Sequence, residues 1–311
     1  MVIISGATLA GLAAAARLAR LGHEVTLVTH REPLGGTGLP AGPIALPATW
    51  RDLFKKSGGH LQTELNRAHL ELVPAYPLEV PLSNGAILQL PAERGAQYRA
   101  VTAALGEHEA QRWRDLLDEL DEVWLRFRRH ALEGMAPVTD ADRPGLLLNV
   151  PIATLAARVH DDLASLVIAA GGAAEAPGIE ALPLSIDRMF GRWQLIDAAG
   201  QTRPNETLLD LLLARVVERG VLLVDHSEAA VDLDCVAPKP GKRSQSATEW
   251  LDRVPIVGRD GTLRASAASL AGPAPWAELG SAALAVYELH ERLTGENCRP
   301  SNTEFRLPRI S

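Results

Sequence analysis

Val2-Ile3-Ile4 is an unbroken apolar run at the start of the chain, and Glu24 to Val28 is a second one, rich in β-branched residues. Short continuous runs of this kind predict strands of a parallel sheet covered on both faces. Between them, Leu12 to Leu21 is dense in alanine and leucine, the strongest helix formers, and Gly22 stands where a helix-ending glycine belongs. The pattern predicts a strand, a glycine-bearing turn over 5–11, a helix and a second strand, which is one βαβ unit with parallel strands. A similar pair recurs late. Leucines and valines at helical spacing over 207–219 lead to Gly220 and then to the apolar run Val221 to Val224. Glu206 and Asp210 lie near this helix start, where the helix dipole favours them. This helix and strand are expected to return to the same sheet.

The middle of the chain reads differently. Asn84-Gly85 lies between Val80-Pro81-Leu82 and Ile87-Leu88-Gln89-Leu90, a hairpin signal. Glu107 to Glu133 carries the clearest helical period: Trp113, Leu116, Leu117, Leu120, Val123, Trp124, Phe127 and Ala131 share one face, with Asp115, Asp118, Glu119, Glu122 and Arg126 opposite. The stripe reads as core packing, with the lining of an apolar tunnel as the alternative. Pro137 to Pro144 is a proline-bounded polar loop, and 236–247 is a basic, solvated loop. No internal repeat is present.

The first turn carries candidate chemistry. In a dinucleotide-binding βαβ unit, one glycine turns the chain out of the strand, a second admits the pyrophosphate and a third lets the helix pack close. The phosphates then sit on the free N–H groups at the helix N-terminus. Gly6 and Gly11 hold the first and third places, Thr8 holds the middle one, and Ala7, Leu9 and Ala10 fill the turn. A β-branched residue at the middle place crowds the pyrophosphate. An acidic residue is expected after the second strand to hold the ribose hydroxyls. That place has Thr29, then His30 and Arg31. A lost charge-assisted hydrogen bond of about 1.5–3 kcal/mol weakens binding by roughly one to two orders of magnitude. The unit therefore reads as a dinucleotide site or its vestige. His30 and Arg31 admit an NADP 2′-phosphate as an alternative, against a plain basic surface turn.

Leu9 to Ala19 with Gly22-His23-Glu24-Val25-Thr26-Leu27-Val28 resembles the phytoene desaturase-like branch of the FAD-dependent amine oxidase and desaturase proteins. Arg31-Glu32-Pro33-Leu34-Gly35-Gly36 looks like that family's second glycine motif. Ala45 to Phe54, Leu70 to Tyr76 and Asn84 to Pro91 follow in the family's order, and Trp276 to Arg292 looks like its closing helix. The resemblance implies an α/β fold: a Rossmann-like FAD/NAD(P)-binding parallel sheet with an inserted α+β substrate domain. The expected division is 1–45 plus 202–311 for the dinucleotide-binding part and 46–201 for the inserted part. The implied cofactor is FAD, on Gly6 to Gly11, Thr29 to Arg31, Gly35 and Gly36, with Leu279 and Gly280 at the start of the closing helix near the flavin. Thr8, Thr29 and the absence of a Gly-Asp pair before that helix, where Ala267-Ala268-Ser269-Leu270 stands, are departures. Together they imply that FAD binding is altered or lost. The implied activity is oxidoreduction of an apolar small molecule. The alternatives are a catalytically degenerate binding or scaffold protein and an NADP-dependent reductase.

Composition narrows the remaining classes. Of 311 residues, 47% are hydrophobic and 22% charged, an ordinary globular balance. The net charge of −7 argues against nucleic acid as a partner. Cys235 and Cys298 form neither a disulfide framework nor a metal-ligand spacing, and a reduced, cytoplasmic setting is expected. No window reaches the roughly 18 apolar residues of a membrane span. The histidines, including His23, His30, His60, His69 and His108, show no ligand pairing. There is no Gly-x-Ser-x-Gly elbow and no Walker sequence, and Tyr76, Tyr98 and Tyr287 have no lysine four positions on. Phe190-Gly191-Arg192-Trp193 reads as core or strand packing, with the ring end of a cofactor as the alternative. Flavin chemistry needs no dedicated acid–base pair, and none is assigned. A homo-oligomer or a protein partner is compatible with this composition.

Overall fold

The structure, a computed structural model, describes residues 1–135, 137–236 and 243–300. The chain begins with β1 (Val2–Ser5), α1 (Leu9–Arg20) and β2 (Val25–Val28), then β3 (Ile44–Ala45), α2 (Ala48–Lys56), α3 (Leu61–Arg67) and β4 (Leu70–Pro74). A hairpin of β5 (Leu78–Pro81) and β6 (Ile87–Leu90) precedes α4 (Arg94–Leu105), α5 (Glu107–Ala131), α6 (Ile152–Ala156), α7 (Asp161–Gly171) and α8 (Leu182–Phe190). The chain continues with β7 (Arg192–Asp197), β8 (Thr202–Arg203), α9 (Glu206–Glu218), β9 (Leu222–Val224) and β10 (Leu233–Asp234). It closes with α10 (Ala247–Leu251), β11 (Leu263–Arg264) and α11 (Pro275–Thr294).

The largest sheet is parallel throughout, in the order β11-β10-β1-β2-β9. This is the α/β Rossmann-like sheet expected, with 207–219 and 221–224 returning to it as α9 and β9 beside β2. β1 and β2 are buried along their whole length, as continuous apolar strands must be. α1 lies between the sheet and two helices, α9 and α11. Ala13, Ala14, Ala15 and Ala16 are all fully buried. Small side chains on every face let three neighbours approach the one helix, which explains the alanine run. α1 ends as the sequence suggests: Leu21 caps it, Gly22 follows at φ +92, and His23 N–H reaches back to Leu18 O.

A second, antiparallel sheet joins β3, β7, β4 and β8, and the hairpin turns at Asn84-Gly85, with Gly85 at φ +83. Asn84 Oδ1 accepts from Ala86 N–H and closes that turn.

Two apolar cores result. One collects the parallel sheet with α1, α2, α9 and most of α11, and includes Trp50 and Phe54. The other collects the hairpin and α4 to α8 around the buried stripe of α5, with Trp250, Trp276 and Ala277. Trp276 touches Trp124 edge-on at 5.7 Å and Phe127 at 6.1 Å, so the first turn of α11 enters the second core while the rest of the helix serves the first. The α5 stripe is core packing. Phe190 to Trp193 is packing too: Arg192 donates to Leu90 O at 2.7 Å, and Trp193 Nε1 to Phe190 O at 2.7 Å. Of the basic loop expected over 236–247, residues 237–242 lie outside the described residues, and Ala247 begins α10. Among the described residues no helix is long and apolar enough to cross a membrane.

Candidate dinucleotide site

β1 is central and its neighbours β2 and β10 leave it on opposite sides, so the carboxyl end of β1 is a topological switch point, where ligands of open α/β sheets bind. The glycine turn stands there. Gly6 takes φ +96, and a Cβ on it would lie 2.8 Å from the Cys235 and Val236 backbone. A Cβ on Gly11 would lie 1.9 Å from Gly6 O. Both positions therefore require glycine for close packing, and Gly6 requires it for the turn as well. Ala7 O accepts from Gly35 N–H at 2.7 Å, and Thr8 bridges to Gly35 in parallel, so the second glycine motif lies against the first. Gly35 takes φ +89 and Gly36 φ +66, with Gly36 facing Thr8.

Thr8 does not simply crowd the turn. It is the N-cap of α1: its Oγ1 accepts from Gly11 N–H at 3.3 Å and donates to Cys235 O at 3.0 Å. The next free donor, Ala10 N–H, gives its hydrogen bond to Glu278 Oε1 at 2.9 Å. The helix N-terminus, where such units hold a pyrophosphate, thus already holds an acidic side chain of this chain. Burial raises the Glu278 carboxyl pKa above the usual range, while the hydrogen bonds with Ala10 N–H and Thr8 pull it down. Glu278 escaped the sequence reading, which singled out the next two residues. Its one signal was an acidic side chain in the first turn of a helix, which is common and unspecific. Leu279 is buried and Gly280 packs on Leu132, and both line a separate cavity formed with α1, α2 and α5.

At the end of β2, Thr29 is buried, and its Oγ1 donates to Asp225 Oδ1 at 3.2 Å. Asp225 follows β9, so a neighbouring strand brings a carboxylate to the place where β2 lacks one. Its other oxygen lies 3.5 Å from Arg31 Nε in an exposed pair. His30 and Arg31 both have left-handed backbone, φ +54 and +60, and His30 Nε2 shares a hydrogen bond of 2.8 Å with Ser5 Oγ. The two basic residues are thereby engaged by Ser5 and Asp225. The Cys235 thiol is fully buried; burial, with Asp234 and Glu278 adding to it, lifts its pKa far up, so it is a packing group rather than a nucleophile. No cluster of three metal-ligating side chains occurs among the described residues.

The turn fits a dinucleotide in shape and in donor chemistry, because the glycines clear the backbone and a helix N–H is aimed at an anion. The carboxylate seated there shows that the position holds such a group, and a pyrophosphate would have to displace it.

No protein-family model matches the chain. It is 34% identical over 159 residues to hydroxyneurosporene desaturase of Cereibacter sphaeroides, covering 47% of this chain and 31% of the desaturase. The similarity to that desaturase is confined to this stretch. The chain spans about a third of the length of that desaturase and half that of the structural neighbours. Those include putrescine oxidase bound to putrescine, at 18% identity and a TM-score of 0.44 over 71% of this chain and 50% of the oxidase. A Rab GDI from Plasmodium falciparum aligns with 12% identity and a TM-score of 0.37 over 71% and 57%.

Proposed function

We propose that this desaturase-like chain is a FAD-dependent oxidoreductase for an apolar small molecule, in which Glu278 competes with the cofactor for one seat. The observation that carries the reading is that seat: Ala10 N–H, between Gly6 and Gly11 at the switch point, gripping a carboxylate. The similarity to the desaturase supports it. Gly6 to Gly11 would receive the pyrophosphate, and Asp225 stands where it could accept from ribose hydroxyls. When bound, FAD supplies the hydride acceptor. Residues 1–45 with 202–311 would hold the cofactor, and 46–201 would present the substrate. A hollow of about 300 Å³ among Phe127, Ile179, Leu182, Trp250 and Trp276, with the paired Glu180 and Arg253 in its wall, would take a mainly apolar group.

A second reading is favoured by the same carboxylate: a degenerate flavoprotein fold kept as a binding or scaffold module, its cofactor seat permanently filled. Absorption spectra of the natively purified protein and of Glu278→Ala, followed by FAD titration, separate the two. Removing the competing charge is expected to tighten FAD binding roughly ten- to hundred-fold, the equivalent of one charge-assisted hydrogen bond. If both proteins are colourless and neither takes up FAD, the oxidoreductase reading falls and the second stands.

A further inference from the structure

A hollow of about 660 Å³ lies away from the glycine turn, where α1, α2, α5 and α11 meet. Most of its wall is apolar: Leu46, Trp124, Phe190, Leu279, Ala283 and Leu284. Charged side chains share the wall: Arg17, Asp52, Arg128, Glu133 and Arg299. Arg17, on the third turn of α1, has a side chain only 3% exposed. One of its terminal nitrogens pairs with Asp52 at 2.6 Å, whereas its Nε and Nη1 are buried and have no hydrogen-bond partner. The guanidinium acts on the phenol of neighbouring Tyr287, another wall residue, but no bond to Tyr287 of ordinary geometry reaches those two nitrogens. Arg299 lines the same hollow: it is held by Glu288 at 2.8 Å, and its Nε is likewise buried and unpartnered. Buried donors in folded proteins are nearly always paired, so three unpartnered nitrogens on two arginines that line one mostly apolar hollow call for an acceptor there. Arginine offers its N–H groups as a rigid planar fork matched to a carboxylate.

We propose that this cavity binds an apolar molecule ending in a single carboxylate, with the head on Arg17 and Arg299 and the tail along Trp124, Phe190 and Leu284. Its volume lies within the range of about 300–1,000 Å³ usual for small-molecule sites. The site shares no residue with the glycine turn, and it stands or falls independently of flavin binding. Asp52 offsets part of the Arg17 charge, and Arg17 Nε and Nη1 carry no other partner.

Oleate and methyl oleate, which differ only in the charged head, test this by tryptophan fluorescence on the full chain, since Trp124 is in the wall. Oleate is expected to bind at least ten-fold more tightly than the ester. Arg17→Met is expected to weaken oleate roughly ten- to hundred-fold while leaving the ester unchanged. Ala283→Trp, which fills the hollow without touching an ionic group, is expected to abolish both. The ester contrast and Ala283→Trp decide the matter alone if Arg17→Met does not fold. No binding of oleate, equal binding of acid and ester, or binding indifferent to Ala283→Trp overturns the proposal; water alone then satisfies the arginines.

Discussion

Gly11 packs so closely on Gly6 that a single methyl group decides whether the turn can form. The 1.9 Å between a Cβ at Gly11 and Gly6 O is a clash with backbone, which cannot rotate away as a side chain can. Gly11→Ala is therefore expected to destabilise the protein by roughly 3 kcal/mol or more, since it forces α1 off β1. Urea unfolding would measure this, and a loss under 1 kcal/mol would mean that the turn relaxes easily. The same substitution at Gly22, which has open space around it, meets no such clash and only the strain of φ +92. Sequence spacing singles out Gly6 and Gly11 because their role is local. Glu278 could not be found that way, since its partner Ala10 is 268 residues distant.

Among the elements, α8 and β7 carry an electrostatic burden that pH can relieve. Asp187 near the end of α8 is largely buried, and burial pushes its carboxyl pKa up to about 6, although Arg192 at the start of β7 pulls the other way. A folded-state pKa above the unfolded value means that the folded protein binds this proton more tightly. Its contribution is thus fully present below about pH 4 and is lost as pH rises through about 6. The shift amounts to about 3 kcal/mol. Asp187→Asn is expected to remove this decline, leaving the variant more stable than the parent at pH 8 and little changed at pH 4. Thermal melts at the two pH values would show it, and parallel pH dependence in both proteins would contradict it. The elements themselves were largely legible. The α5 stripe, the Asn-Gly hairpin and the α9–β9 pair repeat their periods often enough to stand out. β10 and β11, two residues each, were not legible, because pairing with β1 makes β10 a strand and pairing with β10 makes β11 one, and no local preference does.

At the scale of the whole molecule, α11 ties the two cores. Its first turn gives Trp276 to the aromatic cluster of Trp124 and Phe127, while Leu279, Leu284 and Val286 serve the core around the parallel sheet. Trp276→Ala is expected to cost about 3–5 kcal/mol, the usual loss for a buried aromatic. It should also separate the unfolding of the two cores, giving a broadened or two-step urea transition with a lower apparent slope. A single transition of unchanged slope would mean that the cores are coupled by other contacts. The sequence by itself determined the βαβ unit, its glycines, the resemblance to desaturases and the long amphipathic helix, because each is written in residues close along the chain. Tertiary structure alone brings Glu278 onto the Ala10 N–H, sets Asp225 beside Thr29 at the end of β2, and puts Arg17, with two nitrogens unpartnered, in the wall of a cavity. Those outcomes depend on groups that meet only when sheet and helices close, and no spacing in the sequence encodes such a meeting.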